Sequence, residues 1–271
     1  MGIIAVSRGS YSQGKEVAER VAARLNYKII SREDLISSAS KEFNIPEVKL
    51  LHAIKDAPSF WDRITYFKDR YILYIETAFL NLVMQDNVVY HGFAGHFFLR
   101  NIPHVLKVRI NAAMDIRAKF VMQRDKLDRE EAIKTIKKLD EARKKWSERF
   151  YGINTFDPDL YDMVLKVAQM NADEISSIIC NAISLEAFIP TPETFKMIEE
   201  RITSTKIKTA LMKIKPDIEV AYREGVVTVK ASLPMEANQT RFMEQVKKVC
   251  SDIPGVKIEK VEFRISTVPT Y

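Results

Sequence analysis

The chain has 271 residues, which suffices for one large domain or two modest ones with a real hydrophobic core. Apolar residues make up 46% and charged residues 29%, which excludes a low-complexity or disordered chain. The formal net charge is +6, with 42 basic against 36 acidic residues. Because the two signs are interspersed, we expect no specific nucleic-acid binding, and anionic small molecules explain the basic excess equally well.

The first two thirds of the chain alternate between predicted strands and predicted helices. A buried strand is predicted at 2–7 and an amphipathic helix at 14–25. The remaining predicted strands lie at 27–30, 87–91, 104–110 and 163–167, and further helices at 34–43 and 69–84. This alternation, with nearly continuous apolar strands, predicts an α/β fold with a parallel sheet covered by helices on both faces.

A glycine-punctuated loop joins the first strand to the first helix. It reads G-x-x-x-x-G-K, which is typical of a phosphate-binding P-loop, and consists of Gly9, Ser10, Tyr11, Ser12, Gln13, Gly14 and Lys15. We expect Gly9 and Gly14 to take backbone angles that other residues avoid, so that amide groups turn towards a phosphate. Glu16 follows where Ser or Thr usually holds Mg²⁺. The alternative is an ordinary strand-to-helix turn.

Residues 115–152 form a strongly basic helical stretch. The sequence leaves two interpretations open, a solvated helical hairpin or a cationic lid that closes over a polyphosphate. Asp140 precedes Arg143 by one helical turn, so it could orient that guanidinium or pair on the surface.

The pattern changes after Ile189-Pro190-Thr191-Pro192. Helix, hairpin, helix and strand follow one another up to residue 265, with Gly225 in the hairpin turn. This order predicts a small α+β unit, αββαβ, with an antiparallel sheet and helices on one face. The expected organisation is a P-loop domain at 1–188, a linker and helix at 189–201, and a second domain at 202–271.

Two cysteines, Cys180 and Cys250, lie far apart in predicted helices, so we expect free thiols and no metal site. No apolar run approaches the roughly 18 residues of a membrane span, and the chain opens directly into a strand. We therefore expect a cytoplasmic location and no transmembrane segment.

Residues 1–188 resemble the cytidylate kinase-like branch of the P-loop nucleoside monophosphate kinases. The resemblance is carried by Ser7-Arg8, the loop with Lys15-Glu16, Val88-Val89-Tyr90-His91-Gly92, 101–108, Arg117, Glu130-Glu131-Ala132, Leu139-Asp140-Glu141-Ala142-Arg143 and Tyr161-Asp162-Met163-Val164. It implies a five-stranded parallel sheet, a helical lid, ATP with Mg²⁺, and a nucleoside monophosphate or related small acceptor.

The resemblance also implies roles for particular residues. Lys15, Arg143 and Arg124 are the expected catalytic cations. Residues expected to hold the nucleotide are Gly9, Ser10, Tyr11, Ser12, Gln13, Gly14, Lys15, Glu16, Arg117 and Arg149. No protein metal ligand is expected, and Mg²⁺ would come with the nucleotide, with Glu16 or Asp34 nearby.

The chain departs from the family on the acceptor side. The family usually has Gly-Arg after the third core strand, whereas this chain has Gly92-Phe93. A polar pair after Tyr-Asp-Met-Val is replaced by Leu165-Lys166. The acceptor therefore stays open, and an imidazole such as His96 is expected in the core or at the surface rather than in catalysis.

Residues 202–265 resemble a BON domain, mainly in the hairpin around Gly225 and in Ile253-Pro254-Gly255-Val256. The interpretation is a docking or dimerisation module, with lipid or ligand binding as the alternative. Three functions thus remain: an ATP-dependent phosphotransferase, a nucleotide-binding regulatory protein that signals through the C-terminal domain, and a nucleic-acid binder.

Overall fold

The computed structural model describes residues 2–55, 67–92, 95–234 and 237–268. The strands are β1 (Ile3–Arg8), β2 (Lys28–Ser31), β3 (Val88–His91), β4 (Val105–Ala112), β5 (Met163–Val167), β6 (Glu219–Arg223), β7 (Val226–Pro234) and β8 (Lys260–Val268). The helices are α1 (Gly14–Leu25), α2 (Arg32–Phe43), α3 (Glu47–Lys55), α4 (Phe67–Val83), α5 (Gly95–Phe98), α6 (Met114–Asp125), α7 (Arg129–Tyr151), α8 (Ala172–Ile183), α9 (Pro192–Leu211) and α10 (Gln239–Ser251).

The first five strands form one parallel sheet in the order β2-β3-β1-β4-β5. Side chains alternate across β1, so that Ile3 and Ala5 face one hydrophobic cluster while Ile4 and Val6 face another. Helices α2 to α5, α7 and the first half of α9 cover the first face, and α1 with α8 covers the second. The predicted parallel α/β fold with helices on both faces is confirmed.

The basic stretch after β4 is a helical hairpin formed by α6 and α7. Asp128 caps α7, because its carboxylate accepts a hydrogen bond from the Glu131 amide while Glu131 reaches back to the Asp128 amide. Ala118, Val121, Ala132 and Ile136 form a separate small core inside the hairpin. The helical hairpin is therefore a packed unit of its own, attached at both ends to the sheet, and we refer to it below as the lid.

Helix α9 connects the two parts of the chain without a break between residues 201 and 202. Ile198 and Ile202 are buried in the core beside the large sheet, whereas Ile207 and Leu211 are buried in the C-terminal core. Midway, the buried Thr205 hydroxyl donates to the Ile202 carbonyl oxygen at 2.8 Å and lies 2.9 Å from Thr77 Oγ1 of α4. One helix thus contributes to both cores.

The C-terminal unit has the predicted order of elements but not the predicted sheet. Strands β6 and β7 are antiparallel, yet β7 and β8 are parallel along their whole length, from Val226↔Lys260 to Pro234↔Val268. The expectation of an antiparallel sheet was wrong because α10 returns the chain to the same end of the sheet before β8 starts. A helical crossover of this kind gives a parallel pair.

Among the residues that the structure describes, no single helix combines the length and apolar character needed to cross a bilayer; α8 taken together with 186–211 passes that test only as a pair bent by 80°. Both cysteines are free thiols. Cys250 is buried, and its burial raises the pKa of the thiol to about 11.

Candidate functional site

The loop 9–13 lies at the carboxyl end of β1 and leads directly into α1. Tyr11 and Gln13 have a φ of 60°, whereas Gly9 and Gly14 are not among the residues with positive φ. The expectation about the glycine angles was therefore wrong. The glycines are needed for close packing instead: a Cβ on Gly14 would lie 2.7 Å from Arg8 Cβ, and one on Gly9 would lie 3.3 Å from Asn111 Oδ1.

Ser12 braces the loop from inside. Its hydroxyl lies 3.0 Å from the Gly9 carbonyl oxygen and 2.8 Å from the Ile110 carbonyl oxygen of β4. The Gly9 amide donates to the same Ile110 carbonyl oxygen at 3.0 Å. No side chain caps the start of α1, because Gln13 makes no capping hydrogen bond. The first amides of this helix therefore keep their capacity for an anion.

The lid is bonded to the loop through Asp140 and Arg117. Asp140 Oδ1 accepts the Ser10 amide at 3.3 Å, and Asp140 Oδ2 lies 2.6 Å from Arg117 Nη2. Arg117 Nε also donates to the Ser10 carbonyl oxygen at 2.6 Å. The ion pair is buried, with 10% and 16% of the two side chains exposed. The expectation that Asp140 orients Arg143 or pairs on the surface was wrong, because the carboxylate points towards α6 and the loop.

Two further contacts hold the lid against the loop. Arg124 Nη2 donates to the Tyr11 hydroxyl at 3.0 Å, and its guanidinium lies 4.6 Å from the centre of the Tyr11 ring. Arg143 Nη1 donates to the Arg8 carbonyl oxygen at 2.8 Å. Burial lowers the pKa of Arg143 to about 10, with the nearby Arg8 as the next cause, so the guanidinium keeps its charge at neutral pH. Both predicted catalytic arginines thus lie at the loop.

Two cavities lie on either side of the hydrogen bond between Arg143 and the Arg8 main chain. The larger, about 600 Å³, lies between the loop and α6 and is lined by Ser10, Tyr11, Ser12, Gln13, Lys15, Glu16, Glu19, Phe120 and Arg124. The smaller, about 290 Å³, lies over the ends of β1, β3 and β4. Arg8, Gly9, Leu139 and Arg143 line both cavities. We name them the loop cavity and the arginine cavity.

Four arginines line the arginine cavity: Arg8, Arg32, Arg109 and Arg143. Among the described residues of its wall, the one acidic side chain is Asp140, which is already paired with Arg117. Arg32 and Arg109 were missed by the sequence reasoning. Arg109 carries a signal that could have found it, because it is a charge inside an apolar strand whose neighbours Val108 and Ile110 are buried.

A hydroxyl network centred on Tyr161 connects four residues that line the arginine cavity, Ser7, His96, Arg109 and Thr155. The Tyr161 hydroxyl lies 3.2 Å from Ser7 Oγ, from His96 Nε2 and from Arg109 Nη1, and it donates to the Thr155 carbonyl oxygen at 2.9 Å. Burial lowers the pKa of His96 to about 3, with Arg109 as the next cause. His96 is therefore a neutral imidazole, which agrees with its expected place in the core.

Lys15 lies in the wall of the loop cavity and is 62% exposed, with Glu19 Oε1 3.6 Å from its ammonium. Glu16 pairs with Arg20 at 2.9 Å on the surface, and Asp34 caps α2 through Ser31. No group of three or more metal-binding side chains is present in the described residues. Mg²⁺ fits here only as the companion of a nucleotide, held chiefly by phosphate oxygens and water near Glu16.

The loop cavity fits a nucleoside triphosphate in its chemistry. It combines the amides of a loop and a helix N-terminus with the cations Lys15, Arg124 and Arg143. The Tyr11 and Phe120 rings, 6.1 Å apart, offer apolar surface to a base.

One sequence-based expectation falls elsewhere, and another lies outside the described residues. Arg149, expected at the nucleotide, instead lines a separate cavity with Asp69, Glu76 and Lys208, beside the C-terminal unit. Phe93 lies outside the residues that the structure describes. The nearby Phe97 and Phe98 are buried in the core and do not line the arginine cavity.

Residues 3–169 match the sequence model of the cytidylate kinase-like family. The chain is 27% identical over 177 residues to a cytidylate kinase of Sulfolobus acidocaldarius, covering 65% of this chain and 91% of that protein. It is 26% identical over 200 residues to a cytidylate kinase of Saccharolobus islandicus, covering 73% of this chain and 100% of that protein. A solved structure of an uncharacterized protein from Eubacterium ventriosum has a TM-score of 0.51 at 21% identity, covering 68% of this chain and 98% of that one.

We predict that Asp140→Asn lowers the free energy of unfolding by about 3 kcal/mol, because it leaves the buried Arg117 without a charged partner. Urea titration of the whole chain measures this change. The matched control is Asp125→Asn, whose partner Arg124 is half exposed, and its effect should be much smaller because solvent screens this pair. Equal effects of the two substitutions would contradict the buried link.

We predict that His96 makes the chain less stable as the pH falls below 6.5. The unfolded imidazole takes up a proton near 6.5, whereas the folded one does so only near 3. Between these values, stability should fall by about 1.4 kcal/mol per pH unit from this group alone. His96→Gln should flatten the dependence by that amount in urea titrations at about pH 4 and about pH 6. An unchanged slope would show that His96 is protonated in the folded chain.

Proposed function

This chain belongs to the cytidylate kinase-like family, and we propose that it transfers the γ-phosphoryl group of ATP to a nucleoside monophosphate or a related small phosphate ester. The family supports a kinase-type phosphotransferase. The choice of acceptor is our proposal.

The observation that carries the proposal is the wall shared by the two cavities. Arg8, Gly9 and Arg143 lie between a cavity suited to a triphosphate and a second cavity rich in arginine. Phosphoryl transfer needs a donor and an acceptor on opposite sides of one phosphorus atom, with cations around the three oxygens that carry the charge. Arg143 is half-buried there and bonded to the main chain of Arg8, so its position is fixed before the substrates arrive.

In the reaction, an acceptor oxygen forms a bond to the γ-phosphorus while the bond from that phosphorus to the bridging oxygen of ADP breaks. An ionised phosphate oxygen has no proton to lose, so the acceptor requires no general base. Lys15 and the loop amides hold the donor phosphates, and Arg143 with Arg124 supplies positive charge from the lid. Mg²⁺, when bound with ATP, neutralises charge on the phosphate oxygens.

We predict that the chain forms ADP from ATP and Mg²⁺ when CMP or another nucleoside monophosphate is added. Lys15→Ala and Arg143→Ala should each lower the turnover number about 100- to 1,000-fold, because each removes one charge that stabilises the transition state. A coupled ADP assay across a panel of monophosphates measures the rates.

The matched control is Lys41→Ala, an exposed lysine in the last turn of α2. It should keep the wild-type rate. Absence of ADP formation with every acceptor, or full activity of Lys15→Ala, would refute the proposal.

A second candidate function is nucleotide-dependent regulation through the C-terminal unit. One observation favours it: α7 runs from Arg143 at the loop to Tyr151, which lines the cavity shared with Met212 and Ile218 of the C-terminal unit. A rigid helix that touches both places can carry a change in lid position to the other unit. In this interpretation, nucleotide binds with little turnover.

For this candidate we predict that Arg149→Ala changes the ATP dissociation constant about 3- to 10-fold, although Arg149 lies away from the loop cavity. Isothermal titration calorimetry of the full chain measures the constant. Lys145→Ala is the control, since Lys145 lies one turn earlier on the same helix and pairs with Glu141 on the surface. Identical constants for both variants and the wild type would count against the coupling.

We keep three finer assignments as proposals. The domains are taken as 1–188 for the kinase unit, 189–201 for the connection and 202–271 for a BON-like module, with α9 running through the last boundary. A docking role for that module, towards a second copy or another protein, rests on the resemblance alone. A cytoplasmic location is supported by the two free thiols, which are typical of reducing compartments.

A further inference from the structure

Arg109 is a buried guanidinium whose charge is not balanced by the described part of the chain. Only 3% of the residue is exposed, and no described carboxylate lies within 4.0 Å of its nitrogens. Nη1 lies 3.2 Å from the Tyr161 hydroxyl and 3.4 Å from Ser7 Oγ, while Nε is buried without a hydrogen-bond partner. Among the described residues, the ring centres of Phe156 and Tyr161 lie 4.8 and 5.6 Å from its guanidinium carbon.

Such an arrangement is costly in the absence of a ligand. A buried charge without a counter-charge loses its hydration, and two hydroxyls with two ring faces recover only part of it. The cost falls when an anion enters the arginine cavity, whose wall includes Arg109. Buried charges that nothing in the fold neutralises are therefore a mark of ligand binding.

The position of Arg109 also bears on the departure from the family sequence at residue 93. The resemblance places an arginine at residue 93, directly after β3, where this chain has Phe93. Arg109 lies on β4, where it pairs in register with Ser7 of β1, the strand between β3 and β4. Gly92 and Arg109 line the same cavity. The chain thus lacks the family's arginine after β3, whereas Arg109 lines the cavity from β4.

We infer that Arg109 binds the anionic group of the phosphoryl acceptor and takes over the task that the family gives to an arginine after the third strand. The identification of the bound anion as the phosphoryl acceptor rests on the proposed function. The anion site itself stands on the geometry.

The surroundings of Arg109 select a phosphate group. His96 and Ser7 add neutral hydrogen-bonding groups to the wall, and Arg8, Arg32 and Arg143 bring three more guanidinium groups. This excess of positive charge fits a phosphomonoester dianion with several acceptor oxygens better than a single carboxylate. The ligand class is thus a phosphate monoester small enough for a cavity of about 290 Å³.

The test uses the full chain and two probes, inorganic phosphate and CMP. Isothermal titration calorimetry is run without ADP and again with ADP present, so that binding that survives ADP reports the arginine cavity. Arg109→Leu should weaken both probes about 10- to 100-fold, the usual worth of a hydrogen bond to a charged group. Arg241→Leu is the matched control, because Arg241 is exposed on α10, and it should bind as the wild type does.

Thermal unfolding separates a ligand-binding arginine from a structural one. Without ligand, Arg109→Leu should melt at the wild-type temperature or above, because an apolar residue replaces an unbalanced charge. If Arg109→Leu melts lower, Arg109→Gln decides the matter, since it keeps a polar side chain and removes the charge. Weaker phosphate binding by a natively folded Arg109→Gln supports the inference. Wild-type affinity of Arg109→Leu or Arg109→Gln for both probes overturns it.

The two proposals fail in different experiments. If no acceptor yields ADP, the phosphotransferase proposal is lost, whereas the phosphate titration still reports whether Arg109 holds an anion. If ADP forms but Arg109→Gln binds CMP and phosphate normally, the reaction stands and the role of Arg109 is lost.

Discussion

The bond between the Asp140 carboxylate and the loop amide of Ser10 is the contact on which the site depends. It joins residues 130 positions apart, and the same carboxylate pairs with Arg117, which grips the Ser10 carbonyl oxygen. Lid and loop thereby share one set of hydrogen bonds. The two cavities meet at Arg8 and Gly9, where the lid is held against the loop, and the geometry of the proposed site depends on this contact.

Electrostatics divides the site into two unlike halves. In the loop cavity, positive charge comes from main-chain dipoles and from cations that are mostly solvated, such as Lys15. In the arginine cavity, it comes from the buried guanidinium group of Arg109 and the half-buried one of Arg143, neither of which forms an ion pair with a described carboxylate. If an anion binds as proposed, the stability that these unpaired charges cost would be recovered on binding. The neutral state of His96 belongs to the same arrangement, because a second cation beside Arg109 would add to its cost.

The sequence was sufficient for those parts of the fold that local pattern decides. Helix α1 and strand β5 have the predicted bounds, since apolar periodicity and the flanking glycine or loop residues define them. The alternation of apolar residues also predicted strand β8. It could not predict the direction of β8 relative to β7, because alternation is the same in parallel and antiparallel strands. The pairing of Asp140 with Arg117 could not be predicted for a related reason. Helical spacing identifies neighbours on the same helix, whereas Arg117 lies on α6 and Asp140 on α7.

The site was predicted unevenly on the same grounds. The loop and the lid arginines Arg124 and Arg143 are recognisable from motif and order along the chain. Arg149 was misplaced because a helix of 23 residues carries its end far from the loop that its middle touches. Arg109 gave a usable signal, a charge within a buried strand, whereas the glycine angles could not be inferred, since Tyr11 and Gln13 supply the left-handed backbone instead.

Helix α9 has a consequence for how this architecture can vary. Ile198 and Leu211 are anchored in different cores of one uninterrupted helix, so the number of residues between them fixes the rotation of the small sheet about the helix axis. A single inserted residue would turn one end against the other by about 100°, since a helix has roughly 3.6 residues per turn. The number of residues between Ile198 and Leu211 is therefore constrained, even where the identity of the exposed residues between them is not.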